Sequence, residues 1–253
     1  MINVLAIGNS FSNNTTHYFH QAAQAAGIDV RVVNLYIGGC SLQRHWDNLE
    51  HHQADYVYEL NGQHIDERGK VDIDSVVHEA TWDHIISQQV SGYSGVASSY
   101  EPYATNLYTY LRQEQPAARL WWQQTWAYEQ DSDHGAFATY DRDQLTMYEA
   151  LTSCTQEVSD RLNLAIIPTG QTIQRLRQAT PFAYGQGGQS LNIDGYHLTD
   201  YGKYAAALVW VKTLLETNVG NLAYTPEPSL DPVLLALIRA VVQAAPETIE
   251  VPQ

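Results

Sequence analysis

The sequence predicts an α/β protein, a three-layer sandwich with a mostly parallel, doubly wound sheet. Two observations carry this reading. Short apolar runs recur at residues 4–7, 30–35, 84–87, 119–123 and 164–168, and segments of helical length separate most of them. Parallel strands need long crossovers, and helices in those crossovers bury both faces of the sheet.

The run at 4–7 opens the sheet. Residues 16–26 follow as a helix, with Phe19, Ala22, Ala23 and Ala26 at helical spacing and Gly27 as its stop. After the run at 30–35, the segment 55–74 breaks the rhythm: Tyr56, Tyr58 and Leu60 alternate before Asn61-Gly62, and Lys70, Asp72 and Asp74 alternate after it. This pattern predicts a small hairpin inserted on the surface. Helices at 106–115 and 143–162 join the last three runs, and the segment 199–216 reads as an amphipathic helix. A Pro-rich bridge at 225–232 leads to a further helix at 231–244, so that 226–253 reads as a helical tail.

With 253 residues, of which 44% are hydrophobic, the chain can bury one substantial core, and a single domain over 1–253 is expected. A formal net charge of −15 argues against a nucleic acid or an anionic membrane as partner. The first residues carry no basic segment followed by a long apolar one, and no stretch reaches the roughly 18 apolar residues of a membrane span. A cytoplasmic location is expected. The two cysteines, Cys40 and Cys154, are too few for a disulfide framework and read as free thiols.

Two short segments carry chemistry. Gly8-Asn9-Ser10-Phe11-Ser12 follows the first strand and precedes the first helix, which puts Ser10 at the carboxyl edge of the sheet, where ligands bind. The competing reading is that Ser10 or Ser12 caps the helix. Near the other end, Asp194-Gly195-Tyr196-His197 precedes the helix at 199–216. A serine hydroxyl needs a base to take its proton, and the base needs an acid to hold its tautomer; an Asp and a His three apart on one loop supply both. Here the competing reading is turn chemistry beside an ordinary histidine.

Together these segments resemble the first and last blocks of the SGNH (GDSL-like) hydrolase superfamily, over residues 4 to about 215. The resemblance implies a flavodoxin-like α/β/α fold and a serine esterase with Ser10 as nucleophile, His197 as base and Asp194 as acid, and no metal or other cofactor. The superfamily's usual Asp is Asn9 here. Its second block implies that the backbone N–H groups of Ser10 and Gly39 bind the oxyanion, Gly39 standing five residues after Asn34. The third block departs most: the usual Asn is missing from Ser87-Gln88-Gln89-Val90-Ser91, and Gln88 or Gln89 is the expected carboxamide donor, Gln88 by its distance from the strand. On this reading the sequence is identified as a member of an uncharacterised bacterial branch.

Other residues point less sharply. Cys40 reads as a small buried thiol rather than a nucleophile. His17, His20, His51 and His52 lack the spacing and companions of a zinc site. Trp126 and Tyr128, just past the fourth strand, are expected to line the substrate cleft. An abundance of Tyr and Trp, with few aliphatic residues near the motif loops, suits sugar faces better than a long acyl chain. A small-molecule or oligosaccharide ester, with an acetyl group on a carbohydrate, is the expected substrate. A lysophospholipase or thioesterase, and a catalytically silent glycan-binding domain, are the alternatives.

Overall fold

The computed structural model describes residues 1–250; the last three residues of the expected tail, 251–253, lie outside the described residues. The strands are β1 (Ile2–Gly8), β2 (Val30–Tyr36), β3 (Tyr56–Leu60), β4 (Gln63–His64), β5 (Lys70–Val71), β6 (His84–Ser87), β7 (Arg119–Gln123) and β8 (Ala165–Ile167). They form one sheet in the order β4-β3-β2-β1-β6-β7-β8, with β5 paired to β3. From β2 to β8 every pairing is parallel. The helices are α1 (Ser10–Thr16), α2 (Phe19–Ala25), α3 (Leu42–Glu50), α4 (Ile73–Val77), α5 (Tyr103–Glu114), α6 (Gln144–Leu162), α7 (Thr169–Gln178), α8 (Asp200–Leu214) and α9 (Pro232–Ala244). None is long and apolar enough to cross a membrane.

Alternation along β1 builds both halves of the core. Val4 and Ala6 pack with Phe19, Ala22 and Trp210 of α2 and α8, while Leu5 and Ile7 pack with Leu42, Val76 and Leu107 of α3, α4 and α5. Both faces being covered is why the strand reads as a continuous apolar run.

Three elements differ from expectation. The segment 55–74 forms the expected hairpin, β3 and β4 pairing antiparallel across Asn61-Gly62, but it extends the main sheet instead of decorating its surface: β3 pairs antiparallel with β2, and Tyr56 and Tyr58 are buried. Pairing there satisfies a backbone edge that β2 would otherwise expose. The helix expected at 16–26 is two helices, because Tyr18 leaves helical geometry at φ −111° and ψ 1°, and α1 begins as early as Ser10. The helix expected to be amphipathic at 199–216 is α8, where every residue from 204 to 211 is buried. It is apolar all round because α9 covers it, with Leu235, Ile238 and Val242 in the same core. The Lys212 ammonium at the end of α8 donates to the carbonyls of Val242, Gln243 and Ala245, which closes the exposed end of α9.

Candidate active site

In the sheet β2 lies on one side of β1 and β6 on the other, so the winding reverses at β1, and a crevice opens beyond the carboxyl ends of β1 and β6. The sequence turns from β1 into α1 at this point. Asn9, not a serine, caps the helix: its Oδ1 accepts the Phe11 N–H at 3.1 Å. Ser12 is tied down, donating to the Asn9 carbonyl and to Asn34 Oδ1, each at 2.8 Å. Ser10 is left over. Among the described residues neither its hydroxyl nor its backbone N–H has a protein hydrogen-bond partner.

The Asp194–His197 loop is brought to Ser10 by several links. It is a narrow loop closed by the bridge between Asn192 and Leu198, with the Ile193 N–H donating to the His197 carbonyl at 2.8 Å. Leu198 N–H donates to Asn14 Oδ1 on α1 at 2.8 Å, and Trp126 Nε1 donates to the Tyr196 carbonyl at 2.8 Å while its ring stacks on Phe11 at 3.9 Å. The turn needs Gly195, whose φ is +82° and whose absent Cβ would stand 2.8 Å from Ser132 Cβ. Within the loop, Asp194 Oδ2 meets His197 Nδ1 at 2.7 Å, and Asp194 Oδ1 accepts the His197 and Tyr196 N–H groups at 2.7 and 3.2 Å. Partial burial pushes the Asp194 carboxyl up, but these N–H groups and the imidazole outweigh it and hold the group below the usual carboxylate range. A carboxylate on Nδ1 leaves Nε2 as the working nitrogen.

Ser10, Gly39 and His197 all line one cleft of about 510 Å³. Gly39 sits in a turn in which Cys40 N–H donates to the Ile37 carbonyl at 3.2 Å, and its φ of +63° favours glycine. The Asn9 carboxamide fastens this turn to the Ser10 loop, donating to the Cys40 carbonyl at 3.0 Å. An aspartate at position 9 has no such donor. Cys40 is fully buried, and burial pushes its thiol up to about 12, so it is no nucleophile.

The two glutamines do not reach the cleft. Gln88 is buried, donating from Nε2 to Asn9 Oδ1 at 2.9 Å and accepting from Gln123 Nε2 at 2.7 Å. Gln89 is equally buried; its Nε2 donates to the Ser99 carbonyl and hydroxyl, and its Oε1 accepts the N–H groups of Leu42 and Val90. Both carboxamides hold the loop after β6 to its neighbours. The expectation for Trp126 and Tyr128 is corrected in the same way. Both are fully buried one layer beneath the cleft, Trp126 clamping Phe11 to the Asp194–His197 loop and Tyr128 bonded to Ser91.

The cleft wall instead comprises Tyr36, Ser91, Tyr93, His134 and Tyr196. Ser91 and Tyr196 lay beside or inside the sequence motifs; His134, from an irregular loop, gave no signal. Its Nδ1 accepts the Ala136 N–H at 3.2 Å, which leaves the proton on Nε2, and burial followed by the neighbouring His197 pushes its pKa down. A second cavity of about 370 Å³, beside Glu129, Arg177 and Tyr184, contains none of the motif residues. His52, Asp72 and Asp74 bring possible ligand atoms within 4.8 Å of one another at the surface. Both carboxylates there already accept hydrogen bonds, from Ser75 N–H and the Tyr110 hydroxyl.

A flavodoxin-like sheet with a serine after β1 and an Asp-x-x-His loop before α8 is the arrangement of the SGNH hydrolase fold. Solved structures agree. The chain matches a lipase/acylhydrolase from Enterococcus faecalis with a TM-score of 0.55 and 13% identity, covering 84% of this chain and 94% of that one. It matches the acetyl xylan esterase AlAXEase with a TM-score of 0.56 and 12% identity, over 82% of this chain and 97% of that one. At higher identity, it matches a DUF4886 family protein from Bacteroides uniformis with a TM-score of 0.88 and 34% identity, over 96% of this chain and 93% of the other. The chain belongs to that family: the profile described as "Domain of unknown function (DUF4886)" matches residues 3–232. No curated protein matches the chain.

Proposed function

We propose that the protein is a serine ester hydrolase that removes short acyl groups, acetyl above all, from carbohydrates. The observation that carries the reading is the contrast within one cleft between a serine without protein partners and a histidine held by a carboxylate. In the proposed cycle His197 Nε2 takes the Ser10 proton as Ser10 Oγ attacks the ester carbonyl. Asp194 holds the imidazole and stabilises the imidazolium. His197 then returns the proton to the leaving alcohol, and water repeats the sequence on the acyl-enzyme. The Ser10 and Gly39 N–H groups receive the oxyanion, each such donor contributing roughly 3 kcal/mol in the transition state.

The substrate class rests on the lining. Tyr36, Tyr93 and Tyr196 offer ring faces and hydroxyls, while among the described residues Val90 and Ala136 are the only aliphatic side chains in the wall. Aromatic faces with polar tips suit a sugar. The likeness to an acetyl xylan esterase supports the same class. A panel of p-nitrophenyl esters from acetate to palmitate, followed by acetylated xylo-oligosaccharides, tests this. Turnover that falls steeply beyond butyrate is expected. A preference for palmitate replaces the substrate class with a long-chain lipid, and no turnover of any ester removes the enzymatic reading.

A further inference from the structure

We infer that the Ser91 hydroxyl, oriented by the buried Tyr128 hydroxyl, is the side-chain donor that meets the developing oxyanion. This rests on the esterase reading above.

The inference follows from counting protons. Gln88 and Gln89 are set aside: both N–H bonds of Gln89 are used within the protein, and Gln88, which donates one N–H to Asn9 Oδ1, is buried outside the lining of the cleft. Of the residues just after β6 that line the cleft, Ser91 and Tyr93 carry hydroxyls; Tyr93 is exposed, whereas Ser91 is buried in the wall with its Oγ held by a neighbour. Its Oγ lies 2.9 Å from Tyr128 Oη, and either atom is able to donate. The choice is fixed by what each hydroxyl has left. Tyr128 is fully buried, and among the described residues its hydroxyl has no other acceptor than Ser91 Oγ. A buried O–H without an acceptor is costly, so Tyr128 donates and Ser91 accepts. Burial also pushes the Tyr128 pKa up, which keeps its proton in place.

Ser91 is then left with a proton and, among the described residues, no acceptor for it, in the wall of the cleft that holds Ser10 and Gly39. Accepting from Tyr128 polarises the serine hydroxyl and strengthens it as a donor, and it also fixes Oγ in place. A fixed donor aimed at charge that appears only in the transition state lowers the barrier without tightening substrate binding. Tyr128 touches no substrate; it positions Ser91. Its own position is held by the rings of Phe137 at 5.6 Å, Tyr196 at 5.7 Å and His134 at 4.8 Å.

The test uses the full chain, p-nitrophenyl acetate and a fluorophosphonate that labels an activated serine. Ser91→Ala is expected to lower kcat and kcat/KM by the same factor, on the order of 10²-fold, with KM unchanged. Tyr128→Phe keeps the ring and loses only the hydroxyl; it is expected to lower kcat by about tenfold alone and to have no further effect on the Ser91→Ala background. That non-additivity separates positioning from a general loosening of the fold, which would lower activity in both backgrounds. Wild-type-like kcat in a folded Ser91→Ala enzyme whose Ser10 is still labelled overturns the inference and leaves the esterase reading intact. Equal losses from Tyr128→Phe in both backgrounds overturn the positioning of Ser91. A wild-type chain that neither turns over an ester nor takes the label at Ser10 overturns the esterase reading and this inference with it.

Discussion

The carboxyl ends of β1 and β6 stand side by side in the sheet, and polar residues follow each at once. At the end of β1, Asn9 takes the helix cap and Ser12 takes a pair of acceptors, which leaves Ser10 open. At the end of β6, Gln88 and Gln89 spend their amides on neighbouring elements and are closed off. Residue type alone does not separate these outcomes. What separates them is whether every donor and acceptor already has a partner: a polar side chain is free for chemistry only when its neighbours satisfy the backbone without it.

The largest expected effect breaks the open side of this comparison. Ser10→Ala should lower turnover of p-nitrophenyl acetate by about 10⁴-fold or more, and His197→Ala by a similar factor. Because Asn9 rather than Ser10 caps α1, Ser10→Ala should change stability by no more than about 0.5 kcal/mol. Kinetics and thermal denaturation of the same sample check both. A folded Ser10→Ala protein with a tenth of wild-type activity would show that the serine is not the nucleophile.

Much of the open side was legible in the sequence because it is local. Ser10 lies two residues past its strand, and Asp194 and His197 share one tight loop, so spacing alone places them. The sheet was legible for the same reason, since the two covered faces of β1 print an apolar run. Gln88, Gln89, Trp126 and Tyr128 were misplaced because their surroundings come from far away in the chain. Gln89 is sealed by Leu42 and Ser99, and Trp126 by Phe11 and Tyr196. The α8 helix misled for a related reason: its second apolar face is covered by α9, and the sequence of α8 does not name that partner. His134 enters the cleft from a loop with no period to read.

The closed side extends beneath the Gly39 turn to His45. This residue is fully buried, with Nδ1 at 2.9 Å from Tyr56 Oη and, among the described residues, no partner for Nε2. Burial, and then the nearby Arg44, push its pKa down from 6.5 to about 3. In the unfolded chain the ring takes a proton near pH 6.5, and in the folded protein it does not until near pH 3. Stability is therefore full above the unfolded value and falls as pH drops towards the folded one, by roughly 3 kcal/mol at pH 4 and roughly 5 kcal/mol in all. Urea midpoints at pH 7 and pH 4 should show the loss. Burial also pushes His17, His84 and His134 down, so His45→Leu serves as the control. Its pH dependence should be visibly flatter, and an unchanged dependence would remove His45 as the main cause.

The smallest effect sharpens the comparison most, because it asks what the two glutamines are for. If their amides are structural, Gln89→Ala strands the Leu42 and Val90 N–H groups and the Ser99 carbonyl, and Gln88→Ala strands one of the two Gln123 Nε2 hydrogens, the other still held by Thr15 Oγ1, and one acceptor site on Asn9. Stranded buried groups cost about 1–3 kcal/mol each before the loop relaxes or water enters, so a net loss of about 2–3 kcal/mol is expected for either variant. Turnover per folded molecule should stay within about threefold of wild type, since neither amide reaches the cleft. Gln89→Glu separates the roles further: a carboxylate keeps the two acceptor contacts, but it is buried without a cation among its contacts and sets its second oxygen against the Ser99 carbonyl, so it should be at least as destabilised as Gln89→Ala. Urea denaturation, with kcat corrected for the folded fraction, reads both quantities. A collapse of kcat by 10²-fold at unchanged stability would mean that a glutamine amide swings into the cleft during catalysis, and the division between an open β1 end and a closed β6 end would fail.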